Sequence, residues 1–216
     1  MNPLGYILTH PAEILELTGE HLFLVVVSTG IAGVLGIPLG IFLSRRPAWS
    51  RWVLGVANVV QTIPSLALFG FLIPLPVLGG IGTSTAVIAL ILYSLLPIIR
   101  NTHTGIAGVD PAIREAGRGM GMTDWQLLTQ VELPLAMSVI MAGLRVATVI
   151  SVGVATIAAA IGAGGLGTYI LRGVSMVDNQ LILAGAIPAA SLALLADFVL
   201  GLAEHFLSPK GLRSVK

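Results

Sequence analysis

Residues 136–161 read AMSVIMAGLRVATVISVGVATIAAAI, an apolar run in which Arg145 is the single charged residue. A helix crosses the hydrocarbon core of a bilayer with about 20 mostly apolar residues, so this run is long enough to span it. A transmembrane strand would instead show about ten residues of alternating character. Because a helix satisfies its backbone polar groups within one segment, the run predicts a membrane-spanning α-helix.

Four further runs have the same character, and together they define the predicted fold class. They lie at 21–43, 52–74, 81–99 and 181–206. Of the 216 residues, 56% are hydrophobic and 10% are charged, against about 25% charged in an average soluble domain. We therefore expect one all-α, polytopic membrane domain with about five transmembrane helices. With no cysteine there is no disulfide or thiol chemistry, and a net charge of +1 gives no argument for nucleic-acid binding.

The distribution of cations predicts the orientation of these spans. With the N-terminus outside, the outer segments 1–20, 75–80 and 162–180 hold only Arg172. The inner segments then hold Arg45, Arg46, Arg51, Arg100, Arg114, Arg118, Lys210, Arg213 and Lys216. This excess matches the positive-inside rule, so the C-terminus is predicted to be cytoplasmic.

The predicted organisation along the chain has three parts. Residues 1–20 form an outer interfacial segment, 21–206 form the transmembrane domain, and 207–216 form a cytoplasmic tail. Within the first part, a short helix is expected to begin at Pro11 and to end near Gly19.

The longest inner connection, 100–135, is rich in helix signals. Asp110 followed by Pro111 is typical of an N-cap and a first helical position, which predicts a helix over PAIREAGRGM. Glycines at 119 and 121 are expected to end it. The connection is therefore predicted to be a structured cytoplasmic coupling helix within about 110–134, followed by a second short helix.

That second helix has its own boundaries in the sequence. Thr123 and Gln126 have the spacing of a capping box, and Pro134 is expected to prevent the helix from continuing. A rigid helical pair at a membrane surface is suited to docking into a groove of a partner.

Seven residues of this connection carry a resemblance to a known family. They are Glu115, Ala116, Gly117, Gly121, Val131, Leu133 and Pro134. The pattern resembles the EAA loop of ABC importer permeases, which has the form E-A-A, three residues, G, nine residues, then I-x-L-P. Gly117 replaces the second alanine and Val131 replaces the isoleucine, and both changes are small.

The resemblance implies a mechanism with several partners. In the family, this loop couples the membrane spans to a separate ATP-hydrolysing subunit. The chain lacks G-x-x-x-x-G-K-[ST], so it has no phosphate-binding loop of its own. It is thus expected not to be an enzyme and to bind no cofactor, with ATP and Mg on the partner. The resemblance also implies further partners, namely a second permease copy or homologous permease, an extracytoplasmic substrate-binding protein and membrane lipid. It implies a location in the inner membrane.

Three stretches resemble the osmoprotectant branch of these importers, whose solutes are quaternary ammonium compounds such as glycine betaine, choline or carnitine. They are IRNTHTGIAGVDPAIREAGRGMGMT at 99–123, IGAGGLG at 161–167 and DNQLILAGAIPA at 178–189. A permease of a methionine- or amino-acid-type importer is the alternative, because methionine-type importers carry a similar glycine loop. A channel is a further alternative, although a channel would need no coupling loop.

Polar residues in the second run suggest a translocation path. Asn58, Gln61, Thr62 and Ser65 have the i, i+3, i+4, i+7 spacing of one helical face. Polar groups facing lipid are costly, so the face is expected to point into the bundle. Either it lines the path, or it only makes interhelical hydrogen bonds.

Two charges fall inside predicted spans, at Arg145 and Asp197. Their spans run antiparallel and their depths match, so we hypothesise an intramembrane ion pair. The alternative is that Arg145 extends to the headgroups and Asp197 to water. The histidines lack ligand spacing, and no metal site is predicted.

Overall fold

The computed structural model describes residues 3–75 and 80–207, and within them every regular element is a helix. The helices are α1 (Pro3–Thr9), α2 (Pro11–Ser44), α3 (Pro47–Thr62), α4 (Ser65–Leu72), α5 (Thr83–Ala107), α6 (Pro111–Gly119), α7 (Asp124–Leu127), α8 (Leu133–Ala158), α9 (Gly167–Met176) and α10 (Asn179–Leu207). A π-helical turn, Leu128–Glu132, joins α7 to α8, and a 3₁₀ turn, Ala159–Ile161, follows α8. The all-α prediction is confirmed. The predicted tail beyond Leu207 lies outside the described residues.

Four helical stretches are long and apolar enough to cross a membrane, namely α2, α5, the continuous stretch Asp124–Ile161 that contains α7 and α8, and α10. A fifth span is formed only if α3 and α4 are taken together, and these two are bent by 102°. The run predicted at 52–74 is therefore two helices with a sharp break at Pro64, and not one straight helix. Pro64 disfavours the helical conformation at the residue before it, and Ile63 is accordingly extended, with φ −70° and ψ 127°.

The first long helix also differs from the expectation. It begins at Pro11, as predicted, but it continues through Gly19 to Ser44 without interruption. The prediction of a separate short helix that ends near Gly19 is therefore wrong. A single glycine inside a helix costs about 1 kcal/mol, which is too little to end a helix that is apolar over its following turns.

The centre of the bundle is formed by α2, α5 and α8 packed closely on one another. Gly40 of α2 lies against Thr102 of α5, where an added Cβ would come within 2.6 Å of the Thr102 Cβ. Gly143 of α8 makes the same kind of approach to Asn101 of α5. Small residues at these crossings allow the backbones to pack directly, as is usual in membrane helix pairs.

The bundle has two ends with different structures. One end, which we call the EAA end, carries α6, α7, the last turns of α2, α5 and α10, and the start of α8. The opposite end carries the start of α2 and the glycine-rich turn that leads into α9. The loop with the EAA pattern is thus presented at one pole of the helical bundle.

Candidate coupling loop and charged clusters

The connection between α5 and α8 begins with a capped helix. The Asp110 carboxylate accepts a hydrogen bond from the backbone N–H of Ala112 at 2.8 Å, and Pro111 occupies the first turn. The helix then runs to Gly119. The N-cap and the end of α6 that were predicted from the sequence are confirmed.

A tight turn joins α6 to α7. Gly121 has φ +84°, in the left-handed region that glycine adopts without steric cost. Thr123 then caps α7: its hydroxyl accepts from the Gln126 N–H, and its own N–H donates to Gln126 Oε1 at 2.9 Å. The predicted capping box is therefore confirmed.

The second helix does not end where the sequence suggested. It passes through the π-helical turn Leu128–Glu132 directly into α8, with Pro134 in the first turn of that span. The expectation that Pro134 stops the helix is wrong. A wide turn ahead of a proline displaces the carbonyl that a regular turn would place against the proline ring, so the chain remains helical.

Packing between α6 and α7 depends on Gly117. A Cβ at this position would lie 2.8 Å from Leu127 Cδ1, and Leu127 is fully buried. The glycine that replaces the second alanine of the EAA pattern therefore stands at the contact between the two short helices. Leu127 closes this contact from the α7 side.

The outer surface of the helical pair combines charge with uncovered apolar side chains. Glu115 and Ala116 are exposed. Three large apolar side chains are exposed beside them: Ile113 (43%), Met120 (76%) and Trp125 (72%). Large apolar side chains left uncovered among polar residues on one pair of short helices are typical of a protein interaction site.

Beneath this surface lies a buried ion-pair cluster that was not predicted from the sequence. Glu132 is fully buried and contacts Arg45, which caps the C-terminus of α2, and Arg114 of α6. The residues that could have indicated this cluster are the acidic residue at the variable position of V-x-L-P and two arginines in predicted inner segments. Sequence patterns do not reveal this cluster, because Arg45 and Glu132 are 87 positions apart in the chain.

The predicted polar face is divided by the break between α3 and α4. Asn58, Gln61 and Thr62 lie on α3, whereas Ser65 begins α4 beyond the bend. Asn58 accepts a hydrogen bond of 3.4 Å from Arg100 of α5. The expectation that these four residues share one continuous helical face is wrong, since the helical period does not run across Ile63 and Pro64.

The two intramembrane charges are brought together. Arg145 Nε lies 2.9 Å from Asp197 Oδ1, and a second guanidinium nitrogen lies 2.9 Å from Asp197 Oδ2. The guanidinium also contacts Glu204 Oε2 at 3.1 Å. This third member was not predicted, although Glu204 lies two helical turns beyond Asp197 on the same face. Gly201 lies between these two carboxylates, with the Arg145 guanidinium over it. A cavity of about 520 Å³ opens beside the cluster between α8 and α10, with mainly apolar walls.

At the opposite end, the glycine-rich turn is held by the start of α2. The Gly165 N–H donates to Glu20 Oε2 at 2.7 Å, and a Cβ on Gly164 would clash with the same oxygen. His21 is fully buried, and its Nε2 atom lies 3.1 Å from the backbone carbonyl oxygen of Val152 in α8. The turn is thus fixed to two spans by polar contacts.

Similarity to known proteins extends over nearly the whole chain. The family described as "Binding-protein-dependent transport system inner membrane component" matches residues 34–210. The osmoprotectant import permease protein OsmW of Salmonella typhimurium is 47% identical, covering 99% of this chain and 100% of that protein. The glycine betaine/carnitine/choline transport system permease protein OpuCB of Bacillus subtilis is 43% identical, covering 98% and 96%. Among solved structures, the inward-facing MetNI methionine ABC transporter matches with a TM-score of 0.82 at 24% identity, covering 91% of this chain and 97% of that one.

Proposed function

This chain belongs to the family of binding-protein-dependent transport system inner membrane components, and from that premise we propose that it is the permease subunit of an ATP-driven importer of quaternary ammonium osmoprotectants. It is a multi-pass protein of the bacterial inner membrane. Its role is to form half of the translocation path for a small solute such as glycine betaine, choline or carnitine.

The observation that carries this proposal is the 47% identity to a permease named for osmoprotectant import, over the full length of that relative. Relatives named for glycine betaine, carnitine and choline transport cover the chain almost as completely. The methionine transporter, at 24% identity, supports the fold alone. We therefore base the proposed solute class on the more similar sequences and not on the structural neighbour.

Energy comes from a separate ATPase subunit that docks on α6 and α7. The uncovered side chains of Met120 and Trp125 support this partner, because an apolar patch at an aqueous pole gains stability when a groove covers it. The coupling residues are Glu115, Ala116, Gly117, Gly121, Val131, Leu133 and Pro134. Since α7 continues into α8, a displacement of the docked pair acts directly on a transmembrane span.

The path itself lies between two permease subunits, because one chain of about five spans does not enclose a pore. Asn58, Gln61, Thr62 and Ser65 remain candidates for its lining, on both sides of the α3–α4 break. Aromatic residues make up only 6% of the chain, whereas tight recognition of a quaternary ammonium uses several aromatic rings. The permease thus passes the solute on, and an extracytoplasmic binding protein holds it.

Uptake of labelled solutes tests the proposal. The chain is expressed with its ATPase and binding protein in a strain that lacks osmoprotectant uptake, and labelled glycine betaine, choline, carnitine and methionine are compared. We expect uptake of at least one quaternary ammonium solute, dependent on this chain and on ATP hydrolysis. The matched control carries an ATPase whose phosphate-binding lysine is replaced.

Other outcomes distinguish the alternatives. Uptake of methionine without any of the three osmoprotectants would favour a methionine-type importer. Flux that persists with the inactive ATPase would indicate a channel. Either result would refute the proposal.

A further inference from the structure

Glu132 is a charged residue with no exposure to solvent. It closes the π-helical turn that joins the coupling helices to α8. A buried carboxylate is strongly destabilised unless oppositely charged groups and hydrogen bonds surround it. The fold therefore has to supply partners for it, and those partners identify which elements are held together at this point.

Each oxygen of Glu132 contacts a different arginine. Oε2 accepts a hydrogen bond from Arg45, the residue that caps the C-terminus of α2. Oε1 lies 3.0 Å from Nε of Arg114, which is on the coupling helix α6. The same guanidinium of Arg114 donates to the backbone carbonyl of Ile106, in the last turn of α5. One carboxylate thus connects α2, α6 and α8, and one guanidinium extends the connection to α5.

This cluster is the main side-chain anchor of α6 to the spans. Gly117 is the single buried residue among the nine of α6, and it packs on α7. The remaining surface of α6 is exposed or, at Arg114, partly exposed. A displacement of α6 relative to α2 would accordingly have to separate a buried carboxylate from one of its two arginines, which is costly.

We propose that Glu132 is a positioning residue that makes α2 follow the coupling helix, so that ATP-driven displacement of α6 moves α2 together with α5 and α8. This inference rests on the proposed function. Covalent continuity carries the motion of α7 into α8, but α2 has no such connection to the coupling helices. The Arg45–Glu132–Arg114 cluster supplies it.

The test compares ATP hydrolysis with solute uptake in the assembled importer. Glu132→Gln retains the shape of the side chain and removes its charge, and the two arginines, with 36% and 22% of their side chains exposed, are able to hydrate. We expect normal amounts of bound ATPase subunit and continued hydrolysis. Uptake of labelled glycine betaine, choline or carnitine per ATP should fall about tenfold, the size of a typical coupling between sites.

Two further variants make the test specific. Glu16→Gln is the matched control: it makes the same acid-to-amide change, but its side chain is exposed and lies near the start of α2, at the opposite end of the bundle from the docking helices. It should leave the ratio of uptake to hydrolysis unchanged. Arg114→Lys keeps the charge but removes the fork that reaches both Glu132 and the Ile106 carbonyl, and it should reproduce the uncoupling.

The inference and the proposed function fail in different ways. If the wild-type importer moves none of the three solutes, the proposed function is refuted. If the wild type transports while Glu132→Gln and Arg114→Lys keep its ratio, the inference alone is refuted. Failure of both variants to assemble would likewise count against it, because Glu132 would then serve folding rather than transmission.

Discussion

At the scale of single residues, Gly121 is a position where backbone conformation, rather than packing, restricts the side chain. Its φ of +84° lies in the left-handed region, and a Cβ added to it would meet no heavy atom within 4 Å. Space is therefore available for a side chain, and the constraint is conformational. The glycine of the EAA pattern thus acts through the backbone conformation of the turn between α6 and α7, and not through a lack of space for a side chain.

We predict that Gly121→Val impairs transport more than Gly121→Asn. A β-branched residue in the left-handed region costs about 1–2 kcal/mol, whereas asparagine visits this region more readily. The valine variant should insert into the membrane normally, because the turn lies outside the spans. Uptake measured alongside the amount of bound ATPase subunit checks this. Equal uptake by the two variants would show that the turn does not need a left-handed residue.

At the scale of elements, the break between α3 and α4 determines how the polar residues are arranged. Ser65 begins a new helix at 102° to α3, so its side chain direction is independent of Gln61. Phe69, four residues further along, is fully buried in the core beside Leu68. The break therefore turns α4 into the bundle while α3, which has no buried residue, remains on its surface.

We predict that cysteines at Gln61 and Ser65 react with water-soluble thiol reagents in at least one transport state, and that a cysteine at Leu66 does not. The reason is that polar side chains at membrane depth favour a hydrated path over lipid. The chain has no native cysteine, so the background is clean. Labelling in the presence and absence of ATP checks the prediction, and equal labelling at Leu66 would contradict it.

The contact between α8 and α10 is the second feature at this scale. Arg145 contacts both Asp197 and Glu204, so its guanidinium bridges two turns of α10. The pair is partly exposed, with 31% of the arginine and 44% of the aspartate side chain accessible. The net contribution of such a pair is modest, because the cost of taking both charges out of water offsets much of their attraction.

We predict that Arg145→Ala lowers the thermal stability of the purified protein more than Asp197→Ala does. Removing the arginine leaves two carboxylates close together, whereas removing Asp197 leaves Arg145 paired with Glu204. The double variant should lose less than the sum of the single losses, with an interaction of about 1 kcal/mol. Unfolding of all four proteins in one detergent measures this. Strictly additive losses would show that the two charges act independently.

At the scale of the whole molecule, the two poles are built differently. The EAA end exposes apolar residues on short helices, whereas the opposite end fastens its glycine turn to α2 through Glu20. The excess of cations at predicted inner segments assigns the EAA end to the cytoplasm. This orientation is a prediction that labelling from each side of the membrane can test.

We predict that Met176→Cys reacts with an impermeant thiol reagent added outside intact cells, and that Met120→Cys reacts only when the reagent reaches the inner face. The two methionines are matched in type and are 69% and 76% exposed at opposite poles. Right-side-out and inverted vesicles give the comparison. Labelling of Met120→Cys from outside would reverse the orientation.

Features that depend on local chemistry could be predicted from the amino-acid sequence alone. Long apolar runs require helices in a membrane, and the caps at Asp110 and Thr123 follow from side chains that bond to backbone groups two or three residues away. The spacing of the EAA pattern identified the family for the same reason, because all its residues lie within one connection. These interactions do not depend on how distant segments pack.

Features that depend on which segments meet emerged only in the folded chain. The 102° bend after Pro64 and the π-helical turn ahead of Pro134 each begin with a local effect of proline, but proline alone specifies neither the angle of the bend nor the wide turn. The contacts of Glu132 with Arg45 and Arg114 join residues far apart in the chain, as does the contact of Glu20 with Gly165. Periodicity describes one helix at a time, so it cannot specify partners that the packing of several helices brings together.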